Sequence, residues 1–314
     1  MSAKPPFIPF SPPDISAAEI REVVAVLKSG WITTGPRTVR FERAVSQAVK
    51  ARHAVACSSC TDALHIALTV LDVGPGDEVV LPVFTFTATA HAVLYRGATP
   101  VFADIDPSTF NVSVPDMARR VTRRTKVLLP VHYGGNPCDM DAIRRLGLKH
   151  GLPVVEDAAH ALGSRFLGKS IGSLSAMTCF SFYATKNVTT AEGGMIVTNH
   201  ARFAERARRL TMYGISDARR IWGERYKPRG TWDYEVTEVG YKANMPDVLA
   251  ALGIHQLRRL ARFNLIRRRY ARLYEELLGA VPGIAFQKTQ NGGTHCRHLF
   301  PVLLPEGLNR DRII

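Results

Sequence analysis

Short apolar runs alternating with helix-period segments constrain this chain more than any other feature. His53–Cys57, Glu78–Pro82, Thr99–Phe102, Lys126–Pro130 and Pro153–Glu156 read as strands, and Ala63–Leu68, Thr85–Tyr95 and Asp139–His150 as the helices around them. This alternation predicts an α/β fold with a mostly parallel sheet covered on both faces. Ligands of such sheets collect at the carboxyl ends of the strands. After Cys57, the turn Ser58-Ser59-Cys60-Thr61 opens an apolar helix whose free N–H groups and positive dipole end suit a phosphate. Simple capping by Ser58 or Ser59 explains the same residues, and the turn matches neither a P-loop nor a dinucleotide fingerprint. A second strand end, Val154-Val155-Glu156-Asp157-Ala158-Ala159-His160, delivers an acid into a small-residue turn.

Ser181-Phe182-Tyr183-Ala184-Thr185-Lys186-Asn187, with Glu192-Gly193-Gly194 close behind, holds one lysine among small and aromatic residues. A lysine in an apolar setting has a depressed pKa and acts as an amine nucleophile. Enough chain separates Asp157 from Lys186 for a crossover that returns both to one sheet edge. A Schiff-base lysine and an acid that pairs with a pyridinium nitrogen together point to a pyridoxal phosphate (PLP) site. The plainer alternative is a surface lysine and a helix-capping aspartate.

With 314 residues, 46% hydrophobic and 22% charged, the chain has room for one large domain and a smaller one. No apolar run approaches the ~20 residues of a membrane span. The proline-rich arm Met1–Pro13 lacks the apolar core of a signal peptide, so a cytoplasmic location is expected. The five cysteines fit reduced thiols, and Cys57-Ser58-Ser59-Cys60 has no second ligand pair at zinc spacing, so no metal is expected. A net charge of +14 raises the question of nucleic acid. The arginines of pairs and runs such as Arg267-Arg268-Arg269 are scattered at helical spacing without interleaved aromatics. They read as solvated helix faces, or as a mild attraction for a phosphate-bearing small substrate.

Ser16 and Glu19 predict a capping box before a first helix, and Val39–Val49 a second helix. Met177–Phe182 and Met195–Thr198 predict strands around the lysine, Arg202–Met212 a helix, and 214–240 an irregular stretch. Pro246–Leu278 predicts one long or broken helix leading out of a large domain over 1–250. The unit at 251–314 carries predicted strands at Pro282–Phe286 and His298–Leu304 and a helix start at Asn309-Arg310-Asp311.

The ordered motifs carry a family resemblance. They are Thr34-Gly35-Pro36 with Phe41-Glu42; Ser58-Ser59-Cys60-Thr61-Asp62-Ala63-Leu64-His65; Gly76-Asp77-Glu78-Val79; Phe84-Thr85-Phe86-Thr87-Ala88-Thr89; Glu156-Asp157-Ala158-Ala159-His160; the Lys186 stretch with Glu192-Gly193-Gly194; and Gly240-Tyr241 with Asn244-Met245. From Pro12 onward the chain resembles the DegT/DnrJ/EryC1/StrS aminotransferases. These are PLP-dependent enzymes of fold type I, aspartate aminotransferase-like, that aminate nucleotide-linked keto sugars. The resemblance implies Lys186 as the Schiff-base lysine and Asp157 as the partner of the pyridine nitrogen. It implies Phe86 stacked on the ring and His160, where glutamine is frequent, near the phenolic oxygen. The N–H groups of Cys60 and Thr61 and the Ser181 hydroxyl would hold the phosphate. A second subunit would complete that site through Lys242 or Asn244, one by charge and one by hydrogen bonding. For Phe86 the plain alternative is a place in the core, and for His160 a capped, buried histidine.

The function implied is amino transfer to a nucleotide-linked keto sugar, with glutamate as donor, Lys186 as proton carrier and a homodimer with shared sites. Some relatives are dehydratases with histidine in place of the lysine, and Lys186 argues against that chemistry. The alternative of another class is a regulatory protein that keeps the fold without turnover. Relatives usually continue past the position of Ile314, so an α+β C-terminal domain that stops short, or an inactive truncated relative, is a further expectation.

Overall fold

A computed structural model describes residues 7–217 and 233–313. The expected irregular stretch at 214–240 therefore lies largely outside the described residues, as does the start of the N-terminal arm.

Helix α1 (Ala17–Ser29) begins where the sequence places its cap: the Ser16 hydroxyl accepts the Ala18 N–H, the Glu19 carboxylate accepts the Ser16 N–H, and left-handed Gly30 ends the helix. Helix α2 (Pro36–Val49) carries proline in its first turn, where no N–H is needed. The chain then alternates: β1 (His53–Cys57), α3 (Cys60–Val70), β2 (Glu78–Pro82), α4 (Thr87–Leu94), β3 (Thr99–Ala103), α5 (Val114–Arg119), β4 (Thr125–Leu128), α6 (Met140–His150) and β5 (Val155–Asp157). A small hairpin, β6 (Arg165–Phe166) with β7 (Lys169–Ser170), precedes β8 (Met177–Ser181), β9 (Gly194–Thr198) and α7 (Ala201–Leu210). Helix α8 (Asp247–Leu278) runs 32 residues without a break.

The strand order is β1-β9-β8-β5, and bridges Leu128↔Val154 and Val131↔Asp157 carry the sheet on into β4-β2-β3. All of these pairings are parallel except those of β9, which runs antiparallel to β1 and to β8. The expected mostly parallel sheet is therefore present, with one reversed strand. Two apolar layers cover it. One holds Phe41, Phe180, Met245 and Ile254, the other Leu64, Ile66, Val79 and Leu210. Among the described residues no helix is long and apolar enough to cross a membrane.

Helix α4 begins at Thr87, not Thr85, because Phe86 is extended (φ −73°, ψ 144°) and serves as its cap position. After α8 the predicted strands shrink to residue pairs: β10 (Ala285–Phe286) against β12 (Val302–Leu303), and β11 (Gly293–Thr294) against β6. This segment runs back to the main body, where Gln287 donates to the Thr109 carbonyl at 2.7 Å and His295 and Cys296 are buried.

Candidate active site

The carboxyl ends of β1, β5 and β8 deliver Cys57, Asp157 and Ser181 to one edge of the sheet. Because β9 is reversed, its first residue, Gly194, pairs with both Cys57 and Ser181 at that edge. A Cβ on Gly194 would lie 2.1 Å from the Ser59 carbonyl oxygen, so only glycine lets the first turn of α3 close over the strand. That turn is capped by Ser59, whose hydroxyl accepts the Asp62 N–H at 3.0 Å. The N–H groups of Cys60 and Thr61 precede the first intrahelical bond, from Ala63 to Ser59, and have no protein acceptor among the described residues. Ser181 accepts the Tyr183 N–H at 3.4 Å, which leaves its own proton to give. Two N–H groups and a hydroxyl at a helix start are a donor set that suits a phosphate.

Asp157 is 5% exposed. Its Oδ2 accepts the Thr89 hydroxyl at 2.8 Å and its Oδ1 accepts the Ala159 N–H at 3.1 Å. Thr89 spends its proton on Asp157, so Thr85, 2.7 Å away, donates to Thr89. Burial lowers the pKa of Lys186 below its ordinary value, against the opposing pull of Cys60 and Asp157. A larger share of the Lys186 amine is then neutral near pH 7 and able to attack a carbonyl. Phe86 is 74% exposed at the same edge, which removes it from the core and leaves its ring bare.

His160 Nδ1 accepts the Gly134 N–H at 3.3 Å, so its proton sits on Nε2. Burial and the Lys186 ammonium push its pKa down to about 3. Its ring lies against that of His298, with centroids 4.5 Å apart and planes tilted by 34°. His298 is in turn set by an amide relay. Asn264 donates to the Leu162 carbonyl at 3.1 Å and accepts from Asn187 at 2.8 Å, so the Asn187 oxygen faces His298 Nδ1 at 2.9 Å. His298 therefore carries its proton on Nδ1. Burial, His160 and Lys186 hold its pKa well below the ordinary value, so both rings are neutral.

The structure brings Lys186, Asp157, Cys60, Thr61, Ser181, Phe86 and His160 to one edge. Lys242 and Asn244 do not join them through their side chains. Lys242 bonds Asn244, Asn244 donates to the Thr34 hydroxyl at 2.6 Å, and Asn244 lines a separate cavity of about 530 Å³. The sequence reading missed Thr89 and His298. Thr89 stands inside a quoted motif.

A half-buried lysine with lowered pKa, an acid and a phosphate-ready helix start on a mostly parallel sheet define a PLP-dependent aminotransferase. The model of the DegT/DnrJ/EryC1/StrS aminotransferase family matches residues 13–314, and the chain belongs to that family. It is 44% identical over 311 residues to the spore coat polysaccharide biosynthesis protein SpsC of Bacillus subtilis, covering 98% of this chain and 79% of that protein. The aminotransferase TlmJ from Streptoalloteichus hindustanus superposes with a TM-score of 0.90 at 36% identity, over 98% of this chain and 81% of its own. DesI, solved in the presence of its TDP-sugar product, superposes with a TM-score of 0.85 at 34% identity, over 96% and 74%. The chain is a PLP-dependent sugar aminotransferase.

Proposed function

We propose that this chain moves an amino group from glutamate to a nucleotide-linked keto sugar, working as a homodimer. The observation that carries the reading is Lys186, its pKa lowered by burial, at the same sheet edge as Asp157 and the open first turn of α3. The donor set fits PLP at each of its polar groups. Cys60 N–H, Thr61 N–H and Ser181 would take the phosphate, Asp157 the ring nitrogen, Phe86 a ring face, and the Nε2–H of His160 the phenolic oxygen. When bound, PLP supplies an aldehyde that condenses with amines and a ring that takes up the electron pair left by a departing proton.

The chain's own residues do the rest. Thr85 and Thr89 orient Asp157, whose carboxylate would keep a ring nitrogen protonated. The Lys186 amine, once released, takes a proton from one carbon and returns it to another. Neutral His160 and His298 add no positive charge that would raise the cost of a protonated Lys186. Lys242 bonds Asn244, and Asn244 reaches Thr34 beside a second cavity, a placement that supports a contact with the phosphate of a second copy. Solution of DesI with a TDP-sugar supports a nucleotide-linked substrate here.

The test supplies the PLP-loaded chain with nitrogen-15-labelled glutamate and a TDP-linked keto sugar. Mass spectrometry should find the label in a TDP-linked amino sugar. Conversion of glutamate with no labelled sugar would refute the acceptor; no conversion of glutamate would refute the donor.

A further inference from the structure

Lys186 is followed directly by Asn187, which is buried. The bonds that set the Asn187 amide start at a group that can only accept. The Leu162 carbonyl takes a proton of the Asn264 amide at 3.1 Å, and the Asn264 oxygen takes one from Asn187 at 2.8 Å. Asn187 is left with its oxygen toward His298 Nδ1, so Nδ1 keeps the proton and Nε2 is a lone pair. That lone pair has no protein partner among the described residues.

Close packing holds this arrangement. Gly163 has φ +88°, and a Cβ there would lie 2.3 Å from Asn264 Nδ2, so glycine lets that amide reach Leu162. A Cβ on Gly135 would lie 2.5 Å from Cys296 Sγ and 3.3 Å from the His298 backbone nitrogen. Cys296 is fully buried and gives its thiol proton to the His160 carbonyl at 3.0 Å. The Leu299 N–H donates to the Gly134 carbonyl at 3.1 Å, and Arg267 of α8 donates to the His298 carbonyl at 3.4 Å. The backbone on both sides of His298 is therefore fixed.

The relay ends in an unspent lone pair, in the field of the residue that takes a proton. The titratable groups that act on His298 are His160, Lys186, Arg267 and His295, and together with burial they keep it neutral. A neutral acceptor suits an ammonium in a half-buried setting. It accepts an N–H and brings no negative charge that would trap the proton. The other tautomer would turn an N–H toward the same ammonium and repel it.

We propose that Asn187, with Asn264 behind it, is a positioning residue for Lys186: it fixes the His298 tautomer whose Nε2 accepts an N–H of the Lys186 ammonium. The proposal rests on the amino-transfer reading, in which Lys186 is released and carries a proton from one carbon to another. It adds the group that holds the ammonium in between.

The test reads Lys186 in the full chain without PLP, where its amine is free. Carbon-13 NMR at the lysine Cε follows the titration, and nitrogen-15 NMR of labelled histidine reads the His298 tautomer. In the wild type we expect the proton on His298 Nδ1 and an Nε2 signal that moves as Lys186 titrates. Asn187→Leu removes the acceptor at similar volume. It should let Nε2 take the proton and raise the acid dissociation constant of Lys186 about tenfold. Asn264→Leu frees the Asn187 amide to turn over and should move both readings the same way, with the neighbour of Lys186 unchanged. A relay that only supports the fold would lower the urea midpoint of both variants and leave the acid constant alone. The proposal is overturned by a wild-type His298 protonated on Nε2, or by an Nε2 signal that ignores the Lys186 titration. It is equally overturned if folded variants keep the tautomer, or switch it with the Lys186 acid constant within about twofold of wild type. The wild-type readings need no variant to fold. PLP uptake, read from absorbance of the loaded chain, separates the two levels. A chain that takes up no PLP sinks the amino-transfer reading, whereas the acid constants judge the proposal alone.

Discussion

Glu156 and Asp157 are consecutive acids on β5, and the strand alternation sends them to opposite faces. The Glu156 side is closed. It is fully buried, with Oε2 2.7 Å from His132 Nε2 and Oε1 accepting the hydroxyls of Thr178, at 2.7 Å, and Ser175. His132 Nδ1 accepts the Cys138 N–H at 3.0 Å, so Nε2 carries the proton that Glu156 receives. The Asp157 side is open. One hydroxyl and one N–H hold the carboxylate, and the rest of the edge presents unspent donors, a bare aromatic ring and a destabilised ammonium. Neighbouring carboxylates thus differ: one ties β5 to β8 and the loop after β4, the other lies at the open edge beside Lys186.

Asp157→Asn should break the open side with the largest effect. Amino transfer should fall at least about 100-fold while the unfolding midpoint in urea stays near wild type. Glu156→Ala should do the reverse. It leaves the His132 N–H buried without an acceptor and should cost about 3 kcal/mol, read as a lower urea midpoint at unchanged slope. Thr89→Val removes one bond to Asp157 at nearly constant volume and should slow transfer about tenfold, with little change in stability.

His160→Gln sharpens the comparison by pH. The folded pKa of His160, about 3, lies below its ordinary 6.5, so between these values the unfolded chain binds a proton that the folded chain refuses. This contribution weakens the wild type as pH falls from 6.5 toward 3. Urea midpoints of variant and wild type should therefore diverge in acid, with the variant losing less.

The alternation of strands and helices was legible because buried parallel strands are continuous apolar runs. The direction of β9 was not, because Gly194–Thr198 reads the same either way. That Lys186 and Asp157 would meet at one sheet edge was legible, because a lone lysine and a strand-end acid are unusual in such surroundings. Thr89 was not, because a threonine in a helix's first turn looks like ordinary helix chemistry until Asp157 is seen to use it. His298 reaches Asn187 across 111 residues, and no spacing rule spans that distance. Two-residue strands such as β10 and β12 are too short to show a period, so the predicted strands there came out too long.

The most direct test of the account is the visible absorption of the PLP-loaded chain, before and after glutamate, beside Lys186→Ala. The account predicts a visible band that requires Lys186 and that glutamate removes. A folded wild-type chain with no such band, or with a band that Lys186→Ala shares, would contradict it.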